Sequence, residues 1–216
     1  MPLRRMRSAV LLLVLALLVS APAARAGCGG VVTAKAGKKF GSFANPLIIG
    51  DSVLLGAVAP VARIGFTVNT QGCRSWSQGA AIVRKRKRNG TLPHMVTMFL
   101  GADWGVSTAQ IRETLYRLGP RRVLVLVTPR EVGGRGGPDA QNMRDMAAES
   151  PSRILLLDWA RHTRDRDSWF APDGLHLGNP GITGLTRFLG RALKYSAPGT
   201  FPSPPPETEP VPDPTE

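Results

Sequence analysis

The stretch "IIGDSVLLG", residues 48–56, is an apolar run broken by Gly50-Asp51-Ser52 and then resumed. A buried β-strand that ends in a turn, with Asp51 or Ser52 capping the following helix, accounts for that pattern. A nucleophilic serine presented at the end of a strand accounts for it as well. The rest of the chain separates the two.

Apolar runs of strand length recur at residues 46–49, 63–68, 95–100, 122–127 and 153–157. Each is too hydrophobic to leave one face in water, so these strands are expected to be covered on both sides. Helical stretches with recognisable ends lie between them. Ser107 and Gln110 form a capping box, Ile111, Leu115 and Leu118 line one face, and Gly119-Pro120 stops that helix. Asn179-Pro180 opens the last helix, whose apolar face holds Ile182, Leu185, Phe188, Leu189 and Leu193. Five strands alternating with helices predict an α/β fold, a three-layer α/β/α sandwich around a five-stranded parallel sheet of flavodoxin-like type with right-handed crossovers. No internal repeat is visible.

A chain of 216 residues, 43% hydrophobic, has room for one catalytic-sized domain, read here as residues 46–196, with appendages at both ends. Residues 1–26 read as a signal peptide. Arg4, Arg5 and Arg7 precede an apolar stretch over 9–19 that is too short to span a bilayer, and Ala24-Arg25-Ala26 offers small residues for cleavage. Arg25 stands where a lipobox needs an apolar residue, which argues against lipidation at Cys28. Residues 197–216 are so rich in proline that an extended tail is expected. After signal cleavage no transmembrane segment remains, and the expected location is extracytoplasmic, secreted or in the cell envelope.

The chain carries 28 Lys and Arg against 15 Asp and Glu. Residues 1–26 hold four arginines, so the mature chain keeps a net charge of +9. The run Arg84-Lys85-Arg86-Lys87-Arg88 would suggest nucleic acid in a cytosolic protein. For an exported one the anionic partners in reach are cell-wall polymers, membrane head groups or acidic glycans, and no nucleic acid is expected. A solvated helix end with cations near its C-terminus explains the same run. Export also places Cys28 and Cys73 in an oxidising compartment, where they are expected to form a disulfide that tethers the segment 27–45.

In a parallel α/β sheet, ligands bind beyond the carboxyl ends of the strands, where strand order reverses. The loops expected there are Gly50-Asp51-Ser52, Gly72-Cys73-Arg74-Ser75, Gly101-Ala102-Asp103-Trp104 and Asp173-Gly174-Leu175-His176. A serine hydroxyl needs a neutral imidazole to take its proton, and the imidazole needs a carboxylate on its other nitrogen. His176 and Asp173, three residues apart in a turn, supply both. His94 falls at the opposite end of the sheet and His162 in a charged loop. Two distant cysteines and three scattered histidines make no metal site, and neither metal nor cofactor is expected.

With these residues in place, "IIGDSVLLGA" resembles the first block of the SGNH hydrolases, also called GDSL-type esterases. The stretch "APDGLHLGNPGITGLTRFLGRAL" resembles their last block. The resemblance covers residues 46–195 and is similar in flavour to exported bacterial esterases and to peptidoglycan or polysaccharide O-acetyltransferase domains. It implies Ser52 as nucleophile, His176 as general base and Asp173 as its orienting partner. It also implies an oxyanion hole built from the amides of Ser52 and Gly72 and a side chain in the third block.

That third block usually reads Gly-x-Asn, and this chain has Gly101-Ala102-Asp103. An ionised aspartate accepts hydrogen bonds and donates none. Three ways out are open: a protonated Asp103, a donor in the Trp104 indole, or an impaired relative that binds without turnover. Among the other polar and aromatic residues, Asp51 reads as a turn residue satisfying loop amides. Trp76, Trp104, Trp159 and Trp169 read as packing residues, with sugar stacking open to Trp104 and Trp169. Asn142 reads as a surface position or a substrate contact. The expected function is a monomeric secreted serine hydrolase acting on acyl, chiefly acetyl, esters, or transferring the acyl group to a cell-envelope glycan. The alternative is a catalytically impaired glycan-binding protein of the same fold.

Overall fold

The computed structural model describes residues 28–39, 43–131 and 133–201. The signal peptide read over 1–26 and all but the first residues of the 197–216 tail lie outside the described residues. Six strands are present: β1 (Val32–Ala34), β2 (Leu47–Gly50), β3 (Thr67–Thr70), β4 (Met95–Phe99), β5 (Val123–Val127) and β6 (Ile154–Leu157). They form one sheet in the order β1-β3-β2-β4-β5-β6. All neighbours pair in parallel except β1, which runs antiparallel to β3 at the edge.

The strands between them are joined by helices α1 (Ser52–Leu55), α2 (Val58–Ile64), α3 (Trp76–Arg88), α4 (Thr108–Leu118), α5 (Pro138–Glu149), α6 (Trp159–His162) and α7 (Asn179–Gly190). Side chains of a strand alternate between faces, and the core divides accordingly. Ile48, Val68, Val125 and Val127 pack with Leu185, Phe188 and Leu189 of α7 on one face. Leu47, Ile49, Leu124 and Leu126 pack with Trp76 and Val83 of α3, Ile111 of α4 and Met143 of α5 on the other. The three-layer α/β/α sandwich read from the sequence is therefore borne out, and the helix ends at Ser107–Gln110 and Asn179–Pro180 are as expected.

Two details differ. The sheet has six strands rather than five, because β1 is only three residues long and pairs along one edge, mostly exposed, where no continuous apolar run is required. The second expected strand also begins later: Arg63 and Ile64 finish α2, and Gly65 (φ 123°) caps that helix before β3 starts at Thr67. A run of apolar residues shared by a helix end and a strand start has one period in each half and none overall.

Strand order reverses beside β2: the chain passes from β2 outward to β3, then crosses back over β2 to β4. In register, Gly50, Thr70 and Phe99 stand abreast at the ends of β2, β3 and β4. The loops carrying Ser52, Gly72 and Asp103 thus leave the sheet side by side at the switch point.

Candidate active site

The turn after β2 is built around Asp51. Its carboxylate caps α1 by accepting from the Val53 amide at 3.1 Å, and its other oxygen accepts from the Ala102 amide of the β4 loop at 3.3 Å. Its backbone holds on the same two sides: the Asp51 amide donates to Phe99 O at 3.3 Å, and Thr70 Oγ1 donates to Asp51 O at 2.6 Å. One buried residue therefore fastens three strand ends together, in keeping with a turn residue satisfying loop amides. Burial raises its carboxyl to about 7 against the pull of the Val53 and Ala102 amides, and the charge of Asp103 raises it further. Arg74, 2% exposed, lies beneath and donates to Gly50 O at 2.9 Å and Asn69 O at 2.7 Å.

Ser52 follows as the first residue of α1, where an amide has no intrahelical acceptor. Its Oγ lies 3.0 Å from His176 Nε2. On the far side of the ring, His176 Nδ1 lies 2.7 Å from Asp173 Oδ2. The other carboxylate oxygen of Asp173 accepts from the amides of Leu175 at 2.9 Å and His176 at 3.0 Å. Burial pushes the Asp173 carboxyl up, but the His176 ring and those two amides outweigh it and hold the group down at about 2. Asp173 is therefore ionised at any working pH, and its bond to Nδ1 leaves Nε2 as the nitrogen facing the serine.

The loop that carries the pair is braced from several sides. Ala171 N donates to His176 O at 2.8 Å and Gly174 N to Ala171 O at 2.9 Å. Gly174 has a left-handed backbone (φ 71°), and a Cβ there would stand 2.9 Å from Gly134 N, so only glycine lets the β5 loop close against this turn. Arg130, 2% exposed, reaches from the end of β5 to Thr163 O at 2.7 Å and Asp167 at 2.8 Å, with its guanidinium 3.9 Å over the Phe170 ring. It ties β5 to the segment that leads into Asp173. Neither Arg74 nor Arg130 stands out in the sequence, since a single arginine in a basic chain carries no pattern.

The expected oxyanion residues are less uniform. Gly72 sits on the β3 loop beneath Cys28, where a Cβ would lie 2.7 Å from Cys28 O. The disulfide between Cys28 and Cys73, with Cα atoms 5.1 Å apart, draws the N-terminal segment over this loop. Cys73 is the one non-glycine residue with a left-handed backbone among the described residues (φ 53°). Asp103 is exposed and makes no hydrogen bond among the described residues. The Trp104 indole N–H donates to Cys73 O at 2.9 Å, which removes it as a spare oxyanion donor, and its ring is 56% exposed rather than packed.

Trp76 and Trp159 are buried core residues. Trp169 is half-buried against Trp159. Asn142 donates to Val106 O at 2.8 Å and supports the β4 loop from α5. Asp139, also on α5, accepts from the Val106 amide at 2.8 Å, and its burial raises its carboxyl against that bond. Among the described residues no cluster of His, Cys, Asp and Glu could hold a metal ion.

The resemblance read from the sequence is borne out by relatives on two levels, part of the sequence in curated proteins and the fold in solved structures. In sequence the chain is 26% identical over 156 residues to a putative O-acetyltransferase of Staphylococcus aureus (strain COL), covering 69% of this chain and 25% of that protein. It is also 26% identical over 152 residues to the putative peptidoglycan O-acetyltransferase YrhL of Bacillus subtilis (strain 168), covering 68% of this chain and 23% of that one. The chain thus spans about a quarter of the length of the curated relatives it matches. In structure it is similar to the C-terminal catalytic domain of Streptococcus pneumoniae peptidoglycan O-acetyltransferase A with a methylsulfonyl adduct. The TM-score is 0.59 at 22% identity, over 71% of this chain and 93% of that one. A putative SGNH hydrolase from Slackia heliotrinireducens gives a TM-score of 0.51 at 20% identity, over 68% of this chain and 96% of that one. No protein-family model matches the chain.

Proposed function

We propose that the protein is an extracytoplasmic acyl-transfer enzyme that forms an acyl-enzyme on Ser52 and passes the acyl group, most simply acetyl, to water or to a hydroxyl of a cell-envelope glycan. The observation that carries this reading is the unbroken line from Ser52 Oγ through His176 to Asp173, at 3.0 Å and 2.7 Å. The sequence relatives support this reading: a putative O-acetyltransferase fits the acetyl group, and a putative peptidoglycan O-acetyltransferase fits the glycan acceptor.

In this mechanism Ser52 Oγ attacks the ester carbonyl while His176 Nε2 takes its proton. The imidazolium that forms is held by the Asp173 carboxylate and then returns the proton to the departing alkoxide. A water or sugar hydroxyl, deprotonated by the same nitrogen, attacks the acyl-enzyme and releases Ser52. The Ser52 and Gly72 amides are assigned to the developing oxyanion. The third position is Asp103, which repels that charge when ionised, so turnover is expected to be modest. Asp103 also favours a second reading, a glycan-binding protein with little turnover. A chromogenic acetyl-ester assay of wild type and Ser52→Ala separates the two. Activity lost in the variant supports the enzyme, activity retained refutes the nucleophile, and none in either favours the binding protein.

A further inference from the structure

The topology of a parallel α/β domain sends every crossover helix back toward the amino-terminal edge of the sheet, so helix C-termini gather at the edge opposite Ser52. In this chain those ends are strongly cationic. Helix α3 finishes on Lys85, Arg86, Lys87 and Arg88, and α4 on Arg117 followed by Arg121 and Arg122. At that edge lies a cavity of about 530 Å³, lined among others by His94, Arg121, Arg122, Ser152, Arg153 and Phe201.

Helix capping explains part of this. Three cations converge on the last carbonyls of α4: Lys87 Nζ donates to Arg117 O at 2.6 Å, Arg122 to Leu118 O at 3.1 Å, and Arg153 to Gly119 O at 2.6 Å. Yet a helix C-terminus amounts to about half a negative charge, against three full positive ones. None of Lys85, Lys87, Arg88, Arg121, Arg122 and Arg153 pairs with a carboxylate among the described residues, and no acidic side chain lines the cavity. The nearby carboxylates Glu113 and Glu149 are engaged by Arg117 and Arg112. Burial depresses the His94 imidazole and the charge of Arg122 depresses it further, against the Arg121 carbonyl, and its Nε2 is buried without a partner. Among the described residues the cavity is therefore a net positive recess without a carboxylate to balance it.

We propose that this edge docks a linear, phosphate-bearing polyanion, with one phosphate seated among Arg121, Arg122 and Arg153 and its neighbours tracked by Lys85 and Arg88. Guanidinium groups match phosphate oxygens in pairs, which suits an arginine-lined recess. A recess accepts a thin chain better than the flat face of a bilayer. The protein would then be held on an envelope polymer by the edge remote from Ser52, leaving the catalytic edge free for its ester.

The test is fluorescence anisotropy of labelled inorganic polyphosphate with the full chain carrying Ser52→Ala, across a salt series. Binding is expected to weaken steeply with salt as counterions are released. Arg88→Glu/Arg121→Glu changes two exposed residues whose side chains make no hydrogen bond among the described residues. It should weaken binding at least tenfold and flatten the salt slope, with an unchanged melting curve. Arg135→Glu/Arg161→Glu, the same charge change at the opposite edge, should shift affinity less than about twofold, as expected of screened distant charges. Equal loss in both double variants, no binding at low salt, or capture by phosphatidylglycerol vesicles but not by polyphosphate would each overturn the proposal. Because binding is read without the nucleophile, it stands or falls independently of the catalytic reading.

Discussion

Asp51 links the stability of the fold to pH in a way that can be isolated. Its carboxyl is 1% exposed and raised from 3.8 to about 7, chiefly by burial. A folded-state value above the unfolded one means that the native protein binds the extra proton, so the stabilisation is complete below the unfolded value and is lost as pH rises through about 7. A rise of about three units corresponds to about 4 kcal/mol in full, of which more than half disappears between pH 5 and pH 8. Asp51→Asn keeps the shape and one acceptor but cannot ionise. Urea unfolding of both proteins at pH 5, 6, 7 and 8, with the disulfide intact, gives a difference curve that follows Asp51 alone. Wild type should lose ground against the variant as pH rises, with the steepest change between about pH 5 and 6 and a levelling off above about pH 7. A difference that stays flat from pH 5 to 8 would refute the reasoning.

Three further outcomes are expected. Asp173→Asn should leave the fold intact while lowering ester turnover by about 10⁴-fold, since the wrong tautomer would face Ser52, as found for the corresponding change in chymotrypsin-type enzymes; a loss under tenfold would show that His176 is oriented by its loop alone. Reducing Cys28–Cys73, separated by 45 residues, should cost about 4 kcal/mol of stability in urea, and an unchanged midpoint would mean that β1 holds its place without the bridge. Asp103→Asn should raise turnover by about 10²-fold through the added donor, whereas a variant less active than wild type at every pH would remove Asp103 from the oxyanion position.

The meeting of Ser52, Asp173 and His176 could be read from the chain because topology did the work: loops that follow parallel strands must share one edge, and Asp173 and His176 are close in sequence. The core helices were legible for a similar reason, since the capping box at Ser107 and the proline at the start of the last helix are local. What escaped depended on distant partners. The strand β1 exists only because β3 offers an edge and Cys73 a tether. Trp104 was open to core packing or oxyanion donation, and its indole N–H is instead spent on Cys73 O, 31 residues away. Gly72 must be small because the Cys28 backbone passes over it, which no pattern around residue 72 announces. Arg74 and Arg130 are buried cations whose acceptors are backbone carbonyls and, for Arg130, a carboxylate 37 residues away, none of which carries a local sequence signature.

The central claim is that Ser52 is an activated nucleophile, and covalent labelling tests it without any assumption about substrate. Wild type, Ser52→Ala and His176→Ala are incubated with methanesulfonyl fluoride at neutral pH, and intact mass and peptide mapping locate the adduct. A single methylsulfonyl group on the Ser52 peptide is predicted in wild type, with none in Ser52→Ala and much slower labelling in His176→Ala. Labelling of Ser52→Ala at the wild-type rate, or no labelling of wild type at all, would contradict it.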